Sequence, residues 1–317
     1  MIQNASKSLW AKAVHPVVQW FDTWSERPDM ERRAEDPVDW VRVIPFFLLH
    51  MACFAVIWVG WSWFAVGMCV AMYAIRMFAI TGFYHRYFSH KSFRTSRPMQ
   101  FVMAVLGNIS GQRGPLWWSA HHRHHHKASD EADDVHSPVS NTLWWSHVGW
   151  ILAPRNFPTH KHLVPDWMKF PELRFLDRFD MLMPTALGFG TFFLGMALEA
   201  WAPSLGTNGW QLLVWGFVIS TIALYHGTFT INSLAHRWGK RRFETSDHSR
   251  NNLWLALITG GEGWHNNHHH YPNSVRQGFY WWEIDMTYYT LWVMSKLGLV
   301  WDLKPVPTHA LTKGHVE

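Results

Sequence analysis

AVGMCVAMYAIRMFAITGFYHRYFSH, residues 65–90, is the stretch that decides how this chain of 317 residues folds. Positions 65–83 carry a single charge, Arg76, and as a helix they can cross a hydrocarbon core of ~30 Å, which takes ~20 residues. The stretch then runs directly into two histidines, His85 and His90. Three more apolar stretches, 44–64, 181–202 and 210–231, reach a similar length. The expected fold is therefore an all-α integral membrane protein, with four transmembrane helices and a cytoplasmic helical cap holding a di-metal site. A further run, 99–110, is too short to span and reads as a buried or interfacial helix.

The first two spans are joined by an uncharged Gly-Trp-Ser-Trp turn and the last two by the uncharged segment 203–209. Lys and Arg lie elsewhere, so the positive-inside rule places both termini and every histidine string in the cytoplasm. This divides the chain into an N-terminal cytoplasmic or interfacial segment (1–43), spans one and two (44–83), and a first cap part (84–180). Spans three and four (181–235) follow, then a second cap part with the tail (236–317). Leu9, Val14, Val17, Val18 and Phe21 recur at near-helical spacing with Trp10 and Trp20, as in a helix lying in the interface, and 278–301 look similar. The tail from Lys304 onward is expected to be loosely ordered.

Composition agrees with a membrane setting. The 23 tryptophans favour bilayer interfaces, where one end of the ring is wet and the other apolar. A net charge of +5, spread without a basic stripe, fits anionic lipid or acidic substrates and gives no footprint for nucleic acid. Cys53 and Cys69, the only cysteines, sit in apolar segments, so a disulfide framework or a thiolate metal site is excluded. The polar, mixed-charge N-terminus has no pattern of a cleavable signal.

Eleven of the 22 histidines fall in three strings: 85–90, 121–126 and 265–270. So many imidazoles are hard to account for by packing, and imidazole is the commonest nitrogen ligand of iron, zinc and copper. His122, His125 and His126 stand at i, i+3 and i+4 and share one helix face; His265, His268 and His269 repeat the arrangement. Two such triads on facing helices can hold two metal ions between them. His121, His124 and His270 point away and are read as surface or supporting histidines. His85 and His90 are ~140° apart on a regular helix, so they are expected where the helix opens, each ring serving a different ion. Asn232 and His236 share a face at the exit of the fourth span, and His236 is read as a ninth ligand. Asp134 and Glu262 are expected to accept the second N–H of ligand rings, whereas Asp130, Glu131 and Asp133 read as a solvated acidic turn. One Glu-x-x-His spacing, 262–265, is too few for the di-iron site of soluble bundles. His50 and His226 read as hydrogen-bonded packing residues inside the membrane. Arg76 either meets a buried partner or snorkels.

The strings and their flanks (80–90, 118–126, 146–152, 232–236 and 261–272) resemble the stearoyl-CoA-desaturase-like group of membrane fatty acyl desaturases over about 73–303. The resemblance implies two iron ions held by His85, His90, His122, His125, His126, His236, His265, His268 and His269, with Asn232 acting through water. It implies O2-dependent removal of two hydrogens from a long saturated acyl chain, giving a cis double bond, with acyl-CoA as substrate and position nine as default. No catalytic residue beyond the metal centre is expected. Gln112, Trp118 and Thr228 match positions that bend the acyl tunnel, and Tyr73 with Met77 match its closed end.

Some features depart from the group. Ala120-His121 replace an Arg-Asp pair of animal members, which keeps an acyl-carrier protein or an intact lipid beside CoA as the substrate's head. Val135 stands for a usual proline. No His-Pro-Gly-Gly string of a fused cytochrome b5 domain is present, so a separate ferredoxin, rubredoxin or cytochrome b5-like protein with its reductase is expected as electron donor. These features fit a bacterial inner membrane. The competing readings are a histidine-box hydroxylase or oxygenase of lipids or alkanes, a divalent-metal transporter, and a non-catalytic haem or metal-storage protein.

Overall fold

A first apolar helix, Ile44–Val59 (α1), opens the membrane part of the structure, a computed structural model that describes residues 14, 17–25, 38–312 and 314–316. At 1.5 Å per residue α1 is only ~24 Å long, short of a ~30 Å core. Its end is set by Gly60 in the left-handed region (φ 66°), and Ser62 then caps the next helix by accepting from the N–H of Ala65 at 3.1 Å. The turn at 60–63 thus takes residues that hydropathy alone counts as helix. The four expected spans become three: Trp63–Ser89 (α2) and two later helices.

α2 is α-helical to Phe78 and continues as a wide π-helical stretch, Ala79–Ser89, in which every residue is buried. Arg97–Asn108 (α3) packs beside it, burying Gln100, Met103 and Ala104, as its short apolar run predicts. Contact is close because position 107 is glycine: a Cβ there would lie 2.0 Å from the Tyr84 ring. Pro115–Ala128 (α4) carries the second histidine string and starts on a proline, whose missing N–H costs nothing at that position. Pro171–Arg178 (α5) leads to the remaining spans, Leu182–Trp201 (α6) and Gly209–His236 (α7). Outward side chains such as Trp58, Val70, Phe189 and Trp210 are exposed, as lipid-facing residues are.

Arg76 resolves in favour of a buried partner. Its guanidinium donates to Thr221 Oγ1 (2.6 Å) and Ser220 Oγ (2.5 Å), tying α2 to α7. Beyond the spans come Leu253–Ile258 (α8), His265–His270 (α9), Met286–Lys296 (α10) and Thr308–Thr312 (α11). A two-residue strand, Arg94–Thr95 (β1), pairs antiparallel with Val300–Trp301 (β2).

Two expectations about the ends change. Within 278–301 the helix is confined to α10, because Asp285 caps it by accepting from Tyr288 N–H (2.9 Å), and Trp281 before it is 82% exposed. The tail is docked rather than loose: Lys304 bridges Ser92 and Val275 through backbone bonds, and His270 meets the carbonyl of Ala310 at 3.1 Å. Leu9 and Trp10 lie outside the described residues; Val17, Val18 and Phe21 are exposed on a helical turn.

Candidate metal centre

All nine predicted histidines converge, in two clusters. His85, His90, His122, His126 and His268 form one; His125, His236, His265 and His269 form the other. Within each cluster the ligand atoms lie within 4.8 Å of one another. The sequence triads are divided between them: α4 gives His122 and His126 to the first and His125 to the second, while α9 gives His268 to the first and His265 and His269 to the second. His85 and His90 fall in one cluster, whereas their spacing on a regular helix suggests that they separate. In the π-helical end of α2 the N–H of His90 bonds the carbonyl of His85, so residues five apart stack on one side and both rings join the first cluster.

The Nε2 atoms face one another: His90 to His122 at 2.7 Å, His85 to His90 and to His268 at 3.1 Å, His126 to His268 at 2.9 Å, His236 to His265 at 3.0 Å. The opposite nitrogen of four of the rings meets a carboxylate. His85 Nδ1 lies 2.5 Å from Glu262, His125 Nδ1 2.9 Å from Asp134, His236 Nδ1 2.9 Å from Asp130, and His269 Nδ1 pairs with Asp247. The amide nitrogen of Gln277, a donor, lies 3.3 Å from Nδ1 of His85 and 3.4 Å from Nδ1 of His268. A neutral imidazole has one N–H, and in the four carboxylate-backed rings it is spent on Nδ1, which leaves a bare lone pair on the inner nitrogen. Lone pairs ~3 Å apart have the spacing of neighbouring ligands on a first-row ion with bonds of ~2.1 Å. His269 Nε2 is buried with no partner among the described residues. The donor set fits metal ions.

Electrostatics favour the same state. Burial and neighbouring rings push His122, His126, His265 and His268 well below the ordinary imidazole value, so they are neutral and able to ligate. Burial alone would raise Asp134, yet the His125 and His136 rings hold its carboxyl far below the usual range; His236 does the same for Asp130. His269 falls to about 4 because burial outweighs its pairing with Asp247.

Asp134 and Glu262 thus sit where expected, but Asp130 is no solvated residue: its side chain is 3% exposed beneath His236. Asp247, Gln277 and His136 went unseen in the sequence. They lie in loops whose spacing to the histidines carries no periodic signal.

A cavity of about 840 Å³ lies against the centre, lined by His85, His122, His125, His265, Asn232, Gln112, Trp118, Thr228 and Met77. Gln112 donates to Thr228 Oγ1 (2.9 Å), and Trp118 stacks on His122 at 5.1 Å. Tyr73 is absent from the lining. Its hydroxyl donates to the carbonyl of Ile258 (2.6 Å), and it shares the surroundings of Gly227 with Met77.

Fold and site together define a helical membrane protein with a histidine-built, metal-binding centre beside an apolar cavity. The sequence model of the fatty acid desaturase family matches residues 61–301. Similar proteins include an sn-2 palmitoyl-lipid 9-desaturase of Nostoc sp. (strain 36), 32% identical, covering 90% of this chain and 96% of the relative. A hex-5-enoyl-[acyl-carrier protein] acetylenase of Moorena producens (strain JHB) is 34% identical over 79% of this chain and 80% of its own. An icosanoyl-CoA 5-desaturase of Limnanthes douglasii is 33% identical over 88% and 76%. This chain belongs to the fatty acid desaturase family and is an oxidoreductase of lipid metabolism.

Proposed function

We propose that this protein uses O2, two electrons and a di-iron centre to place a cis double bond in a long saturated acyl chain, by default at position nine. One observation carries the reading: nine imidazoles in two clusters lie against a mainly apolar cavity of about 840 Å³. Two iron ions, when bound by the nine histidines, with Asn232 reached through water, would supply the redox chemistry that removes two hydrogens while O2 and two protons leave as water. The protein's own residues do the positioning. Glu262, Asp134, Asp130 and Asp247 fix the rings through Nδ1. Gln112, Thr228 and Trp118 shape the cavity beside His122, and Met77 narrows it, with Tyr73 behind. No side chain moves a proton in the C–H step, and the apolar walls exclude water.

Acyl-CoA is the first substrate to test, with acyl-carrier protein and acyl-lipid beside it, since the relatives' names span all three. A separate ferredoxin-, rubredoxin- or cytochrome b5-like donor delivers the electrons. The spans sit in a bacterial inner membrane, with the centre, both cap parts (84–180 and 236–317) and the C-terminus cytoplasmic; three crossings place the N-terminal segment on the other face. Expression in a desaturase-deficient host, with mass spectrometry locating any new double bond, tests the reading. A C–OH product would indicate the hydroxylase instead. Metal flux in vesicles would indicate the transporter.

A further inference from the structure

His121 lines the cavity without joining either cluster. Its ring is 3% exposed and packs on Trp117, with centroids 4.2 Å apart. Nδ1 lies 3.0 Å from the carbonyl of Trp117, which can only accept, so the ring hydrogen sits on Nδ1. In the neutral ring Nε2 is then a bare acceptor, and it is buried with no partner among the described residues. Buried polar atoms are nearly always satisfied, so this one calls for a donor from the cavity's occupant.

The surroundings narrow what that donor is. Arg113 stacks over Trp117 at 5.2 Å and pairs with Asp180 at 2.8 Å, so this polar end of the cavity holds a compensated cation beside the acceptor. Arg42 lines the same cavity beside Asp180 as well, so one buried carboxylate faces two arginines there, and the bare acceptor of His121 next to them suits a donor group.

We propose that His121 Nε2 accepts a hydrogen bond from an N–H or O–H group at the head of the acyl substrate. An amide such as a pantetheine arm carries, or a hydroxyl of a lipid head, supplies it; a plain ester offers only acceptors. The inference rests on the acyl-chain reading of the cavity and names the head chemistry that the same cavity selects.

The test is ligand binding to the full-length protein in detergent, by competition against a fluorescent fatty acyl probe. The ligands are the N-acetylcysteamine thioester of stearate (amide donor), 1-stearoylglycerol (hydroxyl donors) and methyl stearate (no donor). Wild type should bind a donor-bearing ligand about threefold to tenfold more tightly than methyl stearate, the worth of one hydrogen bond. His121→Phe keeps the stacking on Trp117 and should bind all three alike at unchanged metal content. His121→Gln, which can accept through its carbonyl, should restore part of the preference. Whether amide or hydroxyl is preferred identifies the source. Equal binding by wild type, as when water alone satisfies Nε2, overturns the proposal, as does a preference that survives in His121→Phe. Equal weakening for all three ligands in His121→Phe marks a structural ring and also overturns it. Binding is read without turnover: a wild type that keeps the preference yet makes no double bond refutes the desaturase reading alone.

Discussion

Two groups of histidines meet ring to ring in this molecule, and they do so in opposite ways. Near α1, His50 Nε2 lies 3.2 Å from His226 Nε2, His226 Nδ1 lies 3.0 Å from His147 Nε2, and His147 Nδ1 lies 3.0 Å from Ser233 Oγ. The series ends at the carbonyl of Phe46, 2.8 Å from His50 Nδ1. Ser233 gives its one hydrogen to the carbonyl of Phe229 (2.8 Å), so this series ends on a serine hydroxyl and a backbone carbonyl, with no carboxylate behind any of its rings among the described residues. At the centre, four carboxylates take the Nδ1 hydrogens of His85, His125, His236 and His269, which leaves a bare lone pair on the inner nitrogen of each. That arrangement suits cations. Proximity of imidazoles is therefore not what makes a metal site; the acceptors behind them are.

The largest expected effect breaks the centre itself. His268→Ala removes a ring that touches both His85 and His126, and should abolish bound metal in the first cluster and all desaturated product, read by elemental analysis and lipid mass spectrometry. Unchanged product would remove the assignment. Next, Asp247→Ala withdraws the acceptor behind His269 and should weaken metal binding about 10- to 100-fold, measured by chelator competition. An unaltered affinity would show that the outer carboxylates do not separate the two groups. His226→Phe interrupts the series and should lower stability by about 1–3 kcal/mol in thermal unfolding while metal content stays at the wild-type level. Loss of metal there would erase the contrast. The smallest effect is expected from Met77→Ala, which enlarges the cavity away from the histidines and should move the product distribution toward longer chains, read by gas chromatography. An identical distribution would take Met77 out of chain-length control.

Much of the site is legible along the chain because helix geometry is local. His122, His125 and His126 share a face by spacing alone, and so do His265, His268 and His269. The acidic partners were legible only where a carboxylate stood near a string, as Asp134 and Glu262 do. Asp247 belongs to a loop and meets His269 through tertiary folding, and Asp130 looks like part of an exposed turn until His236 covers it. The first span was misjudged for a related reason: hydropathy counts apolar residues, whereas Gly60 and the Ser62 cap decide where the helix stops.

By itself the sequence determined that apolar helices would deliver histidines to one end of a membrane protein, since hydropathy and i, i+3, i+4 spacing follow from covalent order. Tertiary structure decided which ring joins which cluster. The π-helical end of α2 turned His85 and His90 to one side, and carboxylates brought near by folding fixed where the hydrogens of His85, His125, His236 and His269 sit. Hydrogen-bond polarity depends on neighbours in space, and those are assigned only when the chain closes on itself.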